Sequence, residues 1–232
     1  MDENTKKLLL EAAAAGYDLG SSVGEAGTTL TNFSAGAGFH LIRTFVSNET
    51  GFKVAFFRHP ETDQCIMSFA GTEDILDAYA DLNLGLTQFY DPETDLKLHE
   101  YFELLLDGNA NLDISFTGHS LGGALAQYAA FEFATFVGTH NEKAEQDPAI
   151  TPYSPSVSLF TINGLGGVAG LTQDNSIDKI NKIAATINAA HYRTETDIVS
   201  RLGDDIRLLA SDTTQKYNAP SMCWRYLTGA LR

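Results

Sequence analysis

The sequence predicts an α/β fold in which a mostly parallel central sheet carries helices on both faces. From about residue 64 onward, segments rich in β-forming residues alternate with segments whose apolar residues recur at helical spacing. Parallel strands need such crossover helices between them, and the helices then cover both faces of the sheet. With 232 residues, 44% of them hydrophobic, the chain is long enough for a single domain spanning residues 1–232.

The N-terminal part of the chain predicts one helix followed by three strands. Residues 8–15 form a short apolar run, typical of an amphipathic helix capped near Asn4 or Thr5. Three β-rich runs follow, and the short polar links between them predict neighbouring antiparallel strands. These runs are 39–46, 52–58 and 64–69.

The rest of the chain predicts alternating helices and strands. In order, these are helices at 75–82 and 98–105, a strand at 113–117, a helix at 121–137, a strand at 157–162, a helix at 176–184 and a strand at 187–193. The polar stretch 138–155 contains three prolines, which predicts a surface insertion.

Charge and composition exclude several classes of partner. The chain has 30 acidic and 15 basic residues, a net charge of −15, and a field of that sign opposes binding to nucleic acid and anionic membranes. The N-terminus lacks the features of a secretory signal, and no apolar run is long enough for stable membrane insertion. We expect a cytoplasmic protein, or one exported by a route not visible in this chain. Cys65 lies in an apolar strand and is expected to be a buried small side chain.

Residues 114–123 carry the strongest chemical signal. A β-forming run breaks at Gly118, and an Ala-rich helix begins directly after Gly123. Residues 118–122 form the G-x-S-x-G pattern of a nucleophile elbow, in which glycines let the strand and helix backbones approach closely. The turn is expected to hold Ser120 Oγ in the open, beside the positive end of the helix dipole.

Further motifs make the chain resemble the class 3 (fungal-type) lipases, a family of the α/β-hydrolase superfamily. The likeness runs from about Gln64 to about Leu202. Its motifs, in family order, are the strand end Phe-Ala-Gly-Thr (69–72), Asp-Ala-Tyr-Ala-Asp-Leu (77–82), Leu-His-Glu-Tyr-Phe (98–102), the elbow (118–126), Phe-Thr-Ile-Asn-Gly (160–164) and the segment 192–202. Ala70 stands where the family has Arg, and Ala78 where it has Trp.

The resemblance implies an α/β-hydrolase fold and a serine carboxylic ester hydrolase with a Ser-His-Asp acyl-enzyme mechanism. The implied substrates are lipid esters, as for a triacylglycerol lipase or phospholipase A, and small esters are an alternative substrate class. The enzyme would bind transiently to a lipid interface. Ser120 would be the nucleophile and Asp197 the triad acid. Thr72 and the backbone N–H of Leu121 would form the oxyanion hole. No cofactor or metal is expected.

Two of these roles remain open. Asp204 or Asp205 is an alternative acid if the preceding strand ends later than expected. The general base is missing, because all six histidines precede Asp197, whereas this fold has the chain order Ser, acid, His. The histidines are His40, His59, His99, His119, His140 and His191.

Three explanations for the missing base compete. The chain could be truncated at its C-terminal end, before its His. Another histidine could replace it, with His191 the nearest candidate in sequence. The protein could also be a catalytically incompetent hydrolase-like module that serves in binding or interaction. We expect truncation, since an intact elbow and acid segment have little reason to persist in an inactive site.

Residues 84–96 stand where a class 3 lipase carries its lid. Leu84, Leu86, Phe89 and Tyr90 would form an apolar flap over an acyl groove. An ordinary loop that packs its own aromatic side chains is the alternative, and both interpretations stay open.

Overall fold

The computed structural model describes residues 1–18, 38–47, 49–71, 87, 89–107, 109–193 and 215–216. The described elements in chain order are α1 (Glu3–Asp18), β1 (His40–Val46), β2 (Lys53–Arg58), β3 (Cys65–Phe69), α2 (Pro92–Leu106), β4 (Asp113–His119), α3 (Leu121–Gln146), β5 (Ser156–Ile162), α4 (Val168–Leu171), α5 (Ile177–Ala184), β6 (Asn188–Arg193) and β7 (Gln215–Lys216). The predicted helix at 75–82 lies outside the described residues.

The strands form one sheet in the order β1 to β7. The pairs β1–β2 and β2–β3 are antiparallel, and every pair from β3 to β7 is parallel. The predicted mostly parallel sheet with an antiparallel start is therefore confirmed. Its register aligns Phe69 with Gly118 and Gly118 with Thr161, so the carboxyl ends of β3, β4 and β5 meet at one edge of the sheet.

Helices cover both faces of the sheet, as predicted. On one face α2, α3 and α5 bury the larger apolar cluster, which includes Phe102, Phe116 and Phe131. On the other face α1 packs Leu9 and Ala12 against the sheet. Two strand hydroxyls anchor α1, because Ser68 Oγ donates to Ala12 O at 2.8 Å and Thr117 Oγ1 donates to Leu9 O at 3.1 Å. Among the described residues, no helix combines the length and the apolar character needed to cross a membrane.

Cys65 is 3% exposed and is a free thiol, as expected for a small buried side chain. Burial raises the pKa of this thiol to about 11.

Three boundary predictions are wrong. Helix α2 begins at Pro92, six residues before the predicted start and within the segment 84–96 expected to be a lid, because Asp91 caps it. Helix α1 is capped by Asp2, two residues before the expected Asn4, and Thr5 N donates to Asp2 Oδ1 at 2.8 Å. Helix α3 continues to Gln146, so the predicted insertion starts only at residue 147. The segment 142–145, Glu-Lys-Ala-Glu, consists of strong helix formers, and these outweigh the prolines further on. Short α4 and β7 were not predicted.

Candidate active site

Ser120 sits at the turn between β4 and α3 in an unusual backbone conformation. Its φ is 56° and its ψ is −124°, a region that costs a non-glycine residue roughly 1–3 kcal/mol. Surrounding hydrogen bonds hold the strained residue in place. Ser120 N donates to Ile162 O at 3.1 Å, and Ser120 O accepts from Gly123 N at 2.9 Å and Leu165 N at 3.2 Å. The end of β5 and the segment after it therefore fix both peptide groups of the turn.

The glycines of the motif are required by close backbone packing. A Cβ on Gly118 would overlap Gly122 O, and a Cβ on Gly122 would overlap Phe69 O. The close approach of strand and helix that the G-x-S-x-G spacing predicts is therefore confirmed where β4 ends and α3 begins. The same packing brings the first turn of α3 against the end of β3.

Gln127 ties helix α3 to the segment 163–167 beside the turn. It is fully buried, and its Nε2 donates to Leu165 O at 2.8 Å and to Gly123 O at 3.3 Å. Its Oε1 accepts from Gly167 N at 3.1 Å. Sequence reasoning missed this residue. The available signal was a single amide in the otherwise apolar run 124–131.

Leu121 is the first residue of α3. Gly71, two residues after the end of β3, is the last described residue of that segment. The first N–H groups of a helix have no intrahelical acceptor and point toward the positive end of its dipole, which suits a developing oxyanion. Thr72 directly follows Gly71 but lies outside the described residues, as do Asp197, Asp204 and Asp205. Of the predicted site residues, Ser120 and Leu121 are therefore described.

Comparison with known proteins points to one family. Residues 66–163, which include the elbow, match the family model of class 3 lipases. Over this segment the chain is similar to that family. Sequence comparison with curated proteins gave no match.

Fungal lipases share the fold over most of this chain. Rhizomucor miehei triacylglyceride lipase superimposes with a TM-score of 0.57 at 16% identity, over 84% of this chain and 72% of that one. Lipase II from Rhizopus niveus gives 0.57 at 18% identity, over 86% and 73%. A mutant form of MDLA from Penicillium cyclopium gives 0.56 at 16% identity, over 85% and 73%. These likenesses confirm the α/β-hydrolase fold.

Ser120 is more enclosed than the class 3 lipase motif alone suggested. Its exposed fraction is 4%, and that of Leu121 is 3%. The expectation that the nucleophile stands in the open is therefore wrong for this structure.

The described hydrogen bonds of the histidines do not include one to Ser120. His191 Nδ1 lies 2.7 Å from Thr161 Oγ1, a pair formed between neighbouring positions of β5 and β6. His59 accepts from the backbone N–H groups of Glu61 and Thr62. His99 and His140 contact the carbonyl oxygens of Asp95 and Thr151 at 3.0 Å. His99 also lies in the middle of α2, not at its start, where the class 3 lipase motif would place it.

The aromatic residues of the expected lid pack into the core. Phe89 is 1% exposed and makes edge contacts with Phe52 and Tyr128. Tyr90 Oη donates to Glu132 Oε1 at 3.1 Å. Burial raises the pKa of the Glu132 carboxyl and raises the pKa of the Tyr128 hydroxyl to about 12. For Phe89 and Tyr90 the packed alternative therefore holds, whereas Leu84 and Leu86 lie outside the described residues.

Proposed function

We propose that this protein is a serine carboxylic ester hydrolase that acts on lipid esters, as a triacylglycerol lipase or phospholipase A does. The strained turn at Ser120 carries the proposal. A non-glycine residue at φ 56° is held there by three backbone hydrogen bonds and by two glycines that admit no side chain. Such stored strain concentrates at functional sites. The match of residues 66–163 to a lipase family model supports the same reaction class.

In the proposed mechanism Ser120 Oγ attacks the ester carbonyl carbon and its proton passes to a base. The N–H of Leu121 and the Thr72 donor stabilise the tetrahedral oxyanion, and loss of one such donor typically costs roughly 10²–10³ in rate. The protonated base then donates its proton to the leaving alcohol, and an acyl-enzyme remains. Water hydrolyses this acyl-enzyme. Asp197 orients the base and stabilises its charged form.

The hydrolase proposal requires a general base, and the hydrogen bonds described above for His59, His99, His140 and His191 do not include one to Ser120. We propose that this base is a histidine that Asp197 orients. The same observation favours a second candidate, a hydrolase-like module that binds an ester or lipid without turning it over. A base-free serine would retain only the modest rate provided by binding and oxyanion stabilisation.

Hydrolysis of p-nitrophenyl butyrate and palmitate separates the two candidates. The assay compares the 232-residue chain with the longest native form of the protein, each with and without Ser120→Ala. We expect turnover in the longest native form that falls by at least about 10³ in Ser120→Ala. Turnover that survives Ser120→Ala would rule out the proposed nucleophile, and no turnover in any form would support the binding module.

The acid assignment has its own test in the active form. Asp197→Ala is expected to lower kcat strongly, whereas Asp204→Ala and Asp205→Ala serve as matched controls with little effect. Full activity in Asp197→Ala would transfer the role to one of the two controls.

A further inference from the structure

A groove of about 280 Å³ lies between strands β1, β2 and β3 and helix α2. Its lining is mainly apolar and includes the buried Phe56 and Met67 together with Leu105. Two rim side chains are strongly exposed, Ile42 at 49% and Leu104 at 63%. Exposed apolar side chains around a concave surface are a feature of ligand sites.

A bulge in the edge strand β1 shapes the groove. The register between β1 and β2 shifts between Leu41 and Arg43, so Ile42 is an extra residue in the strand. Ile42 and Arg43 both line the groove, so the bulged part of the edge strand contributes an apolar residue and a cation to it.

The two arginines of the groove differ in their partners. Arg58 is engaged by Asp63, with Nε 3.1 Å from Oδ1. Arg43 lies over the ring of Tyr101, with Cζ 5.4 Å from the centroid, and its Nη1 donates to Tyr101 Oη at 3.5 Å. Within the described part of the chain, Arg43 forms no ion pair with a carboxylate. This guanidinium can pair with an external carboxylate.

The groove lies away from the nucleophile. Met67, the lining residue of β3 nearest to the nucleophile's end of the sheet, pairs with Phe116, four residues before Ser120. At about 3.3 Å per residue this part of the groove lies roughly 13 Å from the nucleophile.

We propose that this groove binds an alkyl carboxylate, with the alkyl chain against the exposed Ile42 and Leu104 and the carboxylate at Arg43. The groove volume of about 280 Å³ lies near the lower end of the range of small-molecule sites, so a medium-length alkyl chain is the expected ligand. The site is separate from Ser120 and does not depend on the proposed reaction.

Calorimetric titration with octanoate tests the binding and its charge dependence. Octanoate is expected to bind, and uncharged octanol to bind about tenfold more weakly, because it cannot pair with the guanidinium. Arg43→Gln should weaken octanoate binding about tenfold. Arg58→Gln is the matched control and should change it by less than about threefold, because Asp63 already engages that cation.

A second matched pair tests the apolar wall. Leu104 and Leu96 are both strongly exposed leucines of α2, but only Leu104 lines the groove. Leu104→Gln should weaken binding by roughly three- to tenfold, and Leu96→Gln should leave it unchanged. Equal effects of the two substitutions would contradict the proposed position of the alkyl chain.

Methyl NMR of the wild-type protein locates the ligand. Octanoate should shift the methyl signals of Ile42 and Leu104 and leave that of Leu165, beside Ser120, in place. Shifts confined to Leu165 would place the ligand at the nucleophile and overturn the proposal. Equal binding of octanol and octanoate would also overturn the proposal. The absence of octanoate binding would overturn it too, including the case in which a second copy of the chain covers the β1 edge.

Discussion

The two halves of helix α3 differ in what determines them. From Leu121 to Phe131 every residue is buried, whereas most residues from Thr135 onward are half-buried or exposed. A glycine in each half shows the difference. A side chain on Gly122 would overlap the backbone of Phe69, whereas a Cβ on Gly138 would meet nothing within 4 Å. Tertiary packing around the Ser120 turn therefore determines the first half, and local helix propensity determines the second.

Gly122→Ala is the substitution that should most disrupt this arrangement. The added methyl group cannot fit without displacing the end of β3 from the first turn of α3. We expect a loss of about 3 kcal/mol in unfolding free energy, measured by urea denaturation, and a loss of any Ser120-dependent esterase activity. Wild-type stability in this variant would contradict the described packing of the elbow.

Gln127→Ala should have the next largest effect. It leaves the backbone groups of Leu165 and Gly167 without their buried partner, which we expect to cost about 2–3 kcal/mol in urea denaturation. Gln146→Ala, at the exposed end of the same helix, is the control and should change stability by less than about 0.5 kcal/mol. Equal effects would mean that the amide does not hold the segment 163–167.

Gly138→Ala should act in the opposite direction to Gly122→Ala. Alanine is favoured over glycine inside a helix, and there is open space for its methyl group. We expect stability to rise by about 0.5–1 kcal/mol in the same denaturation experiment. A destabilised Gly138→Ala variant would show that the second half of α3 is packed more tightly than the structure describes.

Glu132→Gln probes the boundary between the halves, with the smallest effect. Because burial raises the pKa of the Glu132 carboxyl, the folded state favours its protonated form. The stabilisation from this group is complete below the ordinary value of 4.5 and is lost as the pH rises above it. The unfolding free energy of Glu132→Gln should therefore increase relative to that of the wild-type protein between about pH 4 and pH 7, as measured by thermal unfolding. A difference that shrinks with pH would contradict the raised pKa.

The first half of α3 shows which site features the sequence can predict. The elbow is local: strand, turn and helix are adjacent in the chain, and the glycine spacing has a steric reason that needs no distant partner. Gln127 was missed because its partners at Leu165 and Gly167 lie about 40 residues away. The packing of Phe89 on Phe52 depends on a similarly remote contact.

The second half shows how local signals compete. Helix formers at 142–145 and prolines from 148 onward predict opposite structures, and contacts of Tyr153 with the last turns of α3 add to the helix propensity. Asn141 Oδ1 accepts from Tyr153 N at 2.8 Å, and the His140 ring stacks on Tyr153. The end of α3 thus depends on the connection that follows it. The helix cap was misplaced for a simpler reason, since Asp2, Asn4 and Thr5 are all good capping residues.

Covalent trapping tests the central claim, that the strained turn presents Ser120 as a nucleophile. The longest native form of the protein is incubated with diethyl p-nitrophenyl phosphate, and the modified peptide is located by mass spectrometry. We predict a diethylphosphoryl adduct on Ser120 in the wild-type protein and no adduct in Ser120→Ala. An adduct on another residue, or an unmodified Ser120, would contradict the account.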